Sequence, residues 1–233
     1  MELIFSASNS CAQGGPPFLT DDSGTPGDGN WENNFAFVFN GSKNDYAKDF
    51  PVADINYGYG DRTQLKAELG FVAGKGERLS GKLDYISLGV KYRFLDEKIS
   101  GVSVSTFPQA ISSFNTPDKS NIAEYGFLLP IEISKEFFGV NINGQTGFQL
   151  LGSKSEWVFG VVLGYDIGRS TLLAELHTTL EKDSHQTFFD LGAQINVSSH
   201  FTILLAIGKD IGSPSFSSPN ANYYSYLGLQ VLL

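Results

Sequence analysis

The most constraining feature of this chain is a strict alternation of apolar and polar residues, repeated along about twelve segments. Side chains on a β-strand point to opposite faces in turn, so each segment would have one apolar and one polar face. The clearest segments are residues 31–40, 63–71, 86–94, 124–134, 140–150, 156–166, 172–180, 189–197 and 227–233, and weaker ones lie near 50–58, 99–107 and 201–208. The pattern predicts an all-β chain.

The length of these segments favours a membrane barrel over a soluble sandwich, which would also show alternation. Many run well beyond the 5 to 6 residues of an average strand, whereas a tilted strand needs about 9–11 residues to cross a bilayer. No window approaches the roughly 20 apolar residues of a membrane-spanning helix. Because open sheet edges cannot be satisfied in lipid, the strands must close on themselves. We therefore predict a transmembrane up-and-down antiparallel β-barrel of about 12 strands over residues 31–233.

The connections between segments alternate in length, as they do in outer-membrane barrels. Tight turns are predicted near Gly60-Asp61, Asp96-Glu97, Phe138-Gly139, Gly168-Arg169 and Ser198-Ser199. Longer polar loops are predicted near 40–49, 74–81, 108–121, 151–155, 181–186 and 209–222. With an even strand count, both termini fall on the short-turn side, which we expect to be periplasmic.

Aromatic residues cluster at the segment ends, where amphipathic rings favour the lipid–water interface. Those near the tight turns are Trp31, Tyr57, Tyr59, Phe94, Phe137, Tyr165 and Phe201. Those near the longer loops are Phe71, Phe107, Trp157, Phe188 and Tyr223. The mid-strand apolar faces carry no charge, consistent with the cost of about 2–4 kcal/mol for Lys or Arg facing lipid.

Composition and charge limit the classes of function that this chain can have. Charged residues make up 18% of the chain, below the quarter typical of soluble domains. The net charge of −9 argues against nucleic acid or an anionic lipid surface as the main partner. With one cysteine and three dispersed histidines, no transition-metal site is predicted.

The first 30 residues do not alternate. Ser10-Cys11-Ala12 has small residues at positions −3 and −1 of a possible signal-peptidase cleavage site after Ala12. Residues 1–12 are therefore interpreted as the remainder of a secretory signal. Residues 13–30 contain prolines and glycines in a stiff, turning segment. This segment is expected either to lie across the periplasmic mouth or to enter the lumen.

The polar face of the barrel carries charged residues that are the candidate functional set. They are Lys66, Glu68, Lys91, Arg93, Glu132, Glu156, Glu175, His177 and Asp190. Buried charges must be paired or solvated. The set is therefore either a salt-bridge network that fills the lumen or the lining of a solute path.

Catalysis and cofactor binding find little support in the sequence. Glu175 and His177 share a face, but a nucleophilic site also needs a serine beside the base, and Ser170 is near only along the chain. Asp21, Asp22 and Asp28 lack the spacing of a calcium loop, and no phosphate-binding motif occurs. We predict no enzyme, no cofactor and no metal.

Three blocks in the first 95 residues resemble a family of bacterial outer-membrane barrels labelled the MetA pathway of phenol degradation, or simply transporter. They are residues 15–22 (GPPFLTDD) with 24–27 and Trp31-Glu32, residues 54–58 (DINYG) with 60–62 and 64–65, and residues 84–94 (DYISLGVKYRF). The third block differs slightly from the family pattern, because Leu83-Asp84-Tyr85 stands where the family usually has Gly-Asp. The resemblance implies an outer-membrane location and passage of small hydrophobic or aromatic compounds, and it implies no catalytic residue.

Three hypotheses follow. The first is a passive outer-membrane channel or transporter for small solutes, surrounded by outer-membrane lipid and lipopolysaccharide and inserted by the barrel-assembly machinery through its C-terminal strand. The second is a structural or adhesive barrel with a closed, salt-bridged lumen. The third is a lipid-modifying enzyme. The sequence leaves the solute, the state of the lumen and the oligomer open.

Overall fold

The computed structural model describes residues 15–41, 46–73, 82–114, 123–212 and 223–233. The expected signal fragment at residues 1–12 lies outside these residues, as do the whole predicted loop at 74–81 and parts of the loops predicted near 40–49, 108–121 and 209–222. Among the described residues, no helix is both long and apolar enough to cross a membrane.

Thirteen strands and one helical turn follow each other along the described chain. The strands are β1 (Trp31–Gly41), β2 (Tyr46–Tyr59), β3 (Thr63–Ala73), β4 (Lys82–Leu95), β5 (Ser103–Thr106), β6 (Gln109–Ser113), β7 (Glu124–Phe137), β8 (Val140–Leu151), β9 (Lys154–Ile167), β10 (Ser170–Leu180), β11 (His185–Asn196), β12 (Phe201–Asp210) and β13 (Tyr223–Leu232). The helical turn α1 covers Glu97–Ser100.

The strands form one closed antiparallel barrel. Each strand pairs with its chain neighbours, except that β5 and β6 both pair with β4 and β7, and β1 closes the ring on β13 from Glu32↔Leu232 to Gly41↔Tyr223. Strands β5 and β6 lie end to end between β4 and β7. They keep one register with β7, and with β4 they do so up to a bulge between Arg93 and Leu95. They form a single barrel strand interrupted at Pro108, which has no N–H to give to a ladder. The predicted twelve-stranded barrel is confirmed.

The chain enters and leaves the barrel at the same rim. The Trp31 N–H donates to the Leu233 carbonyl at 2.8 Å, and the Leu233 N–H donates to the Trp31 carbonyl at 3.0 Å. This rim also carries the turns at Gly60, Phe138-Gly139 and Gly168. We call it the short-turn rim, and we call the opposite end the loop rim.

Two connections differ from the sequence prediction. The weak strand expected near 99–107 starts at Ser103, because residues 97–100 form α1, which Asp96 caps by accepting from the Lys98 N–H at 3.0 Å. The same strand continues to Ser113, inside the segment expected to be a loop. The longer loop expected near 151–155 is a two-residue turn between Leu151 and Lys154, with Gly152 at φ +59°.

The barrel is apolar outside and polar inside. Large outward side chains such as Phe35, Leu129 and Leu229 are exposed, and inward ones such as Asn34, Glu132 and Asp190 are buried. Two aromatic residues expected at the lipid interface, Phe107 and Phe188, instead point inward and are buried. Phe188 points inward because its neighbour Phe189 points outward, and successive side chains on a strand alternate between the two faces. Phe107 is the inward residue directly before the interruption at Pro108.

Candidate functional site

The segment before β1 lies inside the barrel. We call residues 15–24 the plug. Thr20 is 0% exposed and Ser23 is 1% exposed. The N–H groups of Leu19 and Thr20 donate to the Glu175 carboxylate at 3.2 and 2.6 Å. A segment without regular secondary structure has thus exchanged water for polar groups on the barrel wall.

Contacts to the plug come from strands all around the barrel. On one side, the Asp21 N–H donates to Gln145 Oε1 at 2.7 Å, and the Ser23 N–H donates to Ser134 Oγ at 3.1 Å. On the other side, the Tyr224 hydroxyl donates to the Pro17 carbonyl at 2.9 Å. Because partners on β7, β8, β10 and β13 hold it at once, the plug crosses the lumen rather than lining one wall.

Small residues in the wall make room for the plug. A Cβ added at Gly160 would overlap the Thr20 side chain, and one added at Gly192 would come within 2.9 Å of the Phe18 ring. Wall and plug therefore pack directly against each other at these two points, with no space for a larger side chain.

Lys91 is the main electrostatic anchor of the plug. Its ammonium donates to Asp21 Oδ1 at 3.0 Å and to the Asp22 carbonyl at 2.5 Å, and it lies 3.7 Å from Glu132 Oε2. The Lys91 side chain is 2% exposed, so these partners replace its hydration. The nitrogen also lies 4.8 Å from the centre of the Phe107 ring, a cation–π distance.

The charge of Lys91 affects the ionisation of Asp21. Burial alone would raise the pKa of the Asp21 carboxyl, but the charges of Lys91 and Lys66 outweigh burial, and the pKa lies below its ordinary value. Asp21 therefore stays ionised below the pH at which an exposed aspartate would take up a proton.

A second cluster surrounds Lys66. Its ammonium lies 2.8 Å from Glu68 Oε2 and 3.4 Å from Asp54 Oδ1. The Tyr85 hydroxyl donates to Glu68 Oε1 at 2.5 Å, and Asn34 Nδ2 donates to Asp54 Oδ2 at 3.2 Å. One lysine thus serves two carboxyl groups, so with both acids ionised the cluster carries one net negative charge.

Glu175 and Asp190 form a buried pair of acids. They are direct cross-strand partners, and both are at most 1% exposed. Within the described residues, neither makes an ion pair with Lys or Arg. Buried carboxyl groups without a cation are costly, so the hydrogen bonds from the plug N–H groups help to satisfy Glu175.

Space remains in the lumen on both sides of the plug. Toward the loop rim there is a cavity of about 380 Å³. It is lined by Pro16, Phe18, Leu19, Val38, Val52, Asp54, Glu68, Tyr85, Gln186, Phe188, Tyr224 and Tyr226. Toward the short-turn rim only about 30 Å³ is left, beside Asp21, Lys66 and Lys91. We call the larger space the loop-side cavity.

The structure brings together most, but not all, of the predicted site residues. Lys66, Glu68, Lys91, Glu132, Glu175, His177 and Asp190 line the lumen or contact the plug. Arg93 lies at the short-turn rim, 3.2 Å from Asp96 and 2.6 Å from the Asp61 carbonyl. Glu156 lies at the loop end of β9 and is partly exposed.

The ion pairs do not run directly between β3 and β4. Lys66 lies opposite Gly89 and Lys91 lies opposite Gln64. Lys66 therefore pairs within β3 and with Asp54 of β2, and Lys91 pairs with the plug and Glu132 of β7. Across the described ranges, no group of three or more His, Cys, Asp or Glu side chains is placed to hold a metal.

Several residues of the site do not stand out in the sequence as functional. Tyr224, Tyr226 and Phe188 line the loop-side cavity. Their phase in β11 and β13 marks them as inward, because the exposed Phe189 and Leu227 lie at the alternate positions. The partnership of Asp21 with Lys91 has no such signal, because it depends on the course of a segment without periodicity.

Solved structures with the same architecture include outer-membrane channels. An outer membrane channel from Pseudomonas putida F1 has a TM-score of 0.67 and 13% identity, covering 95% of this chain and 100% of that one. The KdgM porin in complex with disordered oligogalacturonate has a TM-score of 0.61 and 7% identity over 87% and 98% of the two chains. The NanC porin has a TM-score of 0.57 and 10% identity over 85% and 98%.

The fold is that of outer-membrane porin-like barrels. No protein-family model and no curated protein matches the sequence.

Proposed function

We propose that this protein is a passive outer-membrane channel for small solutes and that the plug occupies part of its lumen. The observation that carries the proposal is the loop-side cavity of about 380 Å³ inside a closed barrel with an apolar outer surface. A barrel of twelve strands is wider than the eight-stranded kind, whose inward side chains just fill the interior. Space for a solute remains even with the plug in place.

The nature of the walls supports small hydrophobic or aromatic compounds as solutes. Phe18, Phe188, Tyr224 and Tyr226 give the cavity an aromatic surface inside an otherwise polar lumen. This agrees with the resemblance of residues 15–94 to the MetA-pathway family. An outer-membrane location, with both termini periplasmic and insertion by the barrel-assembly machinery through β13, is part of the same proposal.

Reconstitution of the purified barrel tests the channel directly. We expect discrete conductance steps in planar bilayers and uptake of small aromatic alcohols into liposomes, both increased by Asp21→Asn, which weakens the Lys91 anchor. Asp28→Asn is the matched control, because Asp28 accepts from the Gly60 N–H at the mouth and makes no ion pair with Lys91. Absence of conductance and uptake for the wild type and for Asp21→Asn would refute the channel.

The second candidate is a structural barrel with a closed lumen. The observation in its favour is that side chains from several strands hold the plug at once. One of them is the nearly fully buried Lys91 of β4. It predicts that neither the wild type nor Asp21→Asn shows conductance or uptake in the same experiment. No catalytic role is proposed, since no serine within the described residues hydrogen-bonds to His177.

A further inference from the structure

The loop-side cavity has a charge as well as a shape. Among the described residues that line it are two acidic side chains, Asp54 and Glu68, and no Lys or Arg. Lys66, which neutralises one of them, lies on the other side and lines the small space beside the plug. With both acids ionised, the described part of the cavity wall therefore presents one net negative charge to whatever occupies it.

Aromatic rings surround this charge. Phe188, Tyr224 and Tyr226 are each at most 8% exposed and line the same cavity. The faces of aromatic rings attract cations, and rings combined with carboxylates are the usual means of recognising organic ammonium groups. An anion would instead meet two carboxylates, and like charges repel.

Two of the three hydroxyl groups in the wall are already bonded. Tyr85 donates to Glu68, and Tyr224 donates to the Pro17 carbonyl. For the hydroxyl of Tyr226, no hydrogen bond to another described residue is found. It is therefore the hydroxyl group that can bond to an occupant of the cavity.

The size of the cavity limits the occupant. A cavity of about 150 Å³ accommodates benzene, and this one is about 380 Å³. There is room for one aromatic ring with a short, branched substituent. Typical small-molecule pockets begin near 300 Å³ and combine apolar walls with a few polar groups, as this one does.

We infer that the loop-side cavity is a binding site for a small organic cation. The ammonium group would lie at Asp54 and Glu68, and the apolar part would lie against Phe188, Tyr224 and Tyr226. This inference rests on the proposed function, since it assigns the solute class of that channel, but binding can be measured without transport.

The test compares three ligands of similar size on the full chain in a non-ionic detergent. They are benzyltrimethylammonium, benzyl alcohol and phenylacetate, and binding is followed by titration calorimetry. We expect the cation to bind at least about tenfold more tightly than the alcohol, as a desolvated cation–π contact and a net charge together allow. Phenylacetate should not bind. Equal affinity for the cation and the alcohol, or measurable binding of phenylacetate, would overturn the inference.

Glu68→Gln locates the site. It removes the net charge but keeps an oxygen for the Tyr85 hydroxyl, and we expect it to weaken binding of the cation about tenfold while leaving the alcohol unchanged. Glu156→Gln makes the same chemical change in a residue that does not line the cavity, and binding should stay at the wild-type value. Circular dichroism and the gel shift of the folded barrel show that each variant folds. Undiminished cation binding in folded Glu68→Gln would contradict the assignment.

The outcome separates this inference from the channel. Cation binding without conductance supports the site and refutes the channel. Conductance and uptake of neutral solutes without cation binding supports the channel and refutes the site.

Discussion

The two halves of the lumen are built differently although the same strands enclose them. Toward the short-turn rim the plug fills the interior, and buried ion pairs such as Lys91–Asp21 hold it. Toward the loop rim the walls become aromatic and a cavity of about 380 Å³ remains. Separating the partners of a buried ion pair is costly, because it leaves an uncompensated charge inside the protein. The filled half thus positions the plug, and the open half is shaped to accept a ligand.

The largest expected effect comes from enlarging the wall where it touches the plug. Gly160→Leu would place a side chain in the space of Thr20, and the plug must move because overpacking a tight contact costs about 1–3 kcal/mol or more. We expect the conductance in planar bilayers to rise several-fold. Gly144→Leu is the control, since a Cβ there meets only one backbone oxygen at 4.0 Å. Identical conductance of both variants would contradict a docked plug.

A smaller effect is expected at the acid pair. Glu175→Ala leaves the N–H groups of Leu19 and Thr20 without acceptors, which costs about 1–3 kcal/mol for the buried Thr20 donor. We expect faster cleavage of the plug by an added protease in the folded barrel. Glu175→Gln keeps one acceptor oxygen and should be cleaved at an intermediate rate. Equal protection in all three proteins would show that these hydrogen bonds do not hold the plug.

The smallest effect concerns the pH dependence of the Asp21 anchor. Because the charges of Lys91 and Lys66 lower the pKa of Asp21, its contribution is present above the pKa of an unfolded aspartate and is lost as the pH falls through the lower, folded value. We expect protease protection of the plug to persist at pH 5 and to weaken on further acidification. Asp21→Asn should remove that part of the acid dependence. An unchanged profile in this variant would assign the dependence to other groups.

The fold follows from the sequence because alternation with a period of two specifies which side chains face lipid. Outward Leu229 and inward Tyr226, Glu132 and Asp190 all lie on the faces that this pattern predicts. Where the pattern is broken, the prediction is less accurate. Asp96 and Gly101 cap a helical turn, and Pro108 interrupts a strand that nevertheless continues.

The site is less predictable than the fold, since it depends on contacts between distant parts of the chain. Lys91 meets Asp21 across 70 positions, and Glu175 meets Thr20 across 155. The plug contains Pro16 and Pro17 and has no periodicity, so no local rule gives its path. The glycines that accommodate it, Gly160 and Gly192, cannot be distinguished in sequence from other strand glycines.

The accessibility of Thr20 tests the central claim, a plug docked inside the barrel, most directly. In a Cys11→Ser background, Thr20→Cys and Thr25→Cys place one thiol inside the lumen and one at its short-turn mouth, where Thr25 hydrogen-bonds to Asp61. The rate of labelling by a bulky, charged maleimide is measured on the folded barrel. The structure predicts rapid labelling at position 25 and strong protection at position 20, which is lost on unfolding. Equally rapid labelling of both thiols in the folded barrel would contradict it.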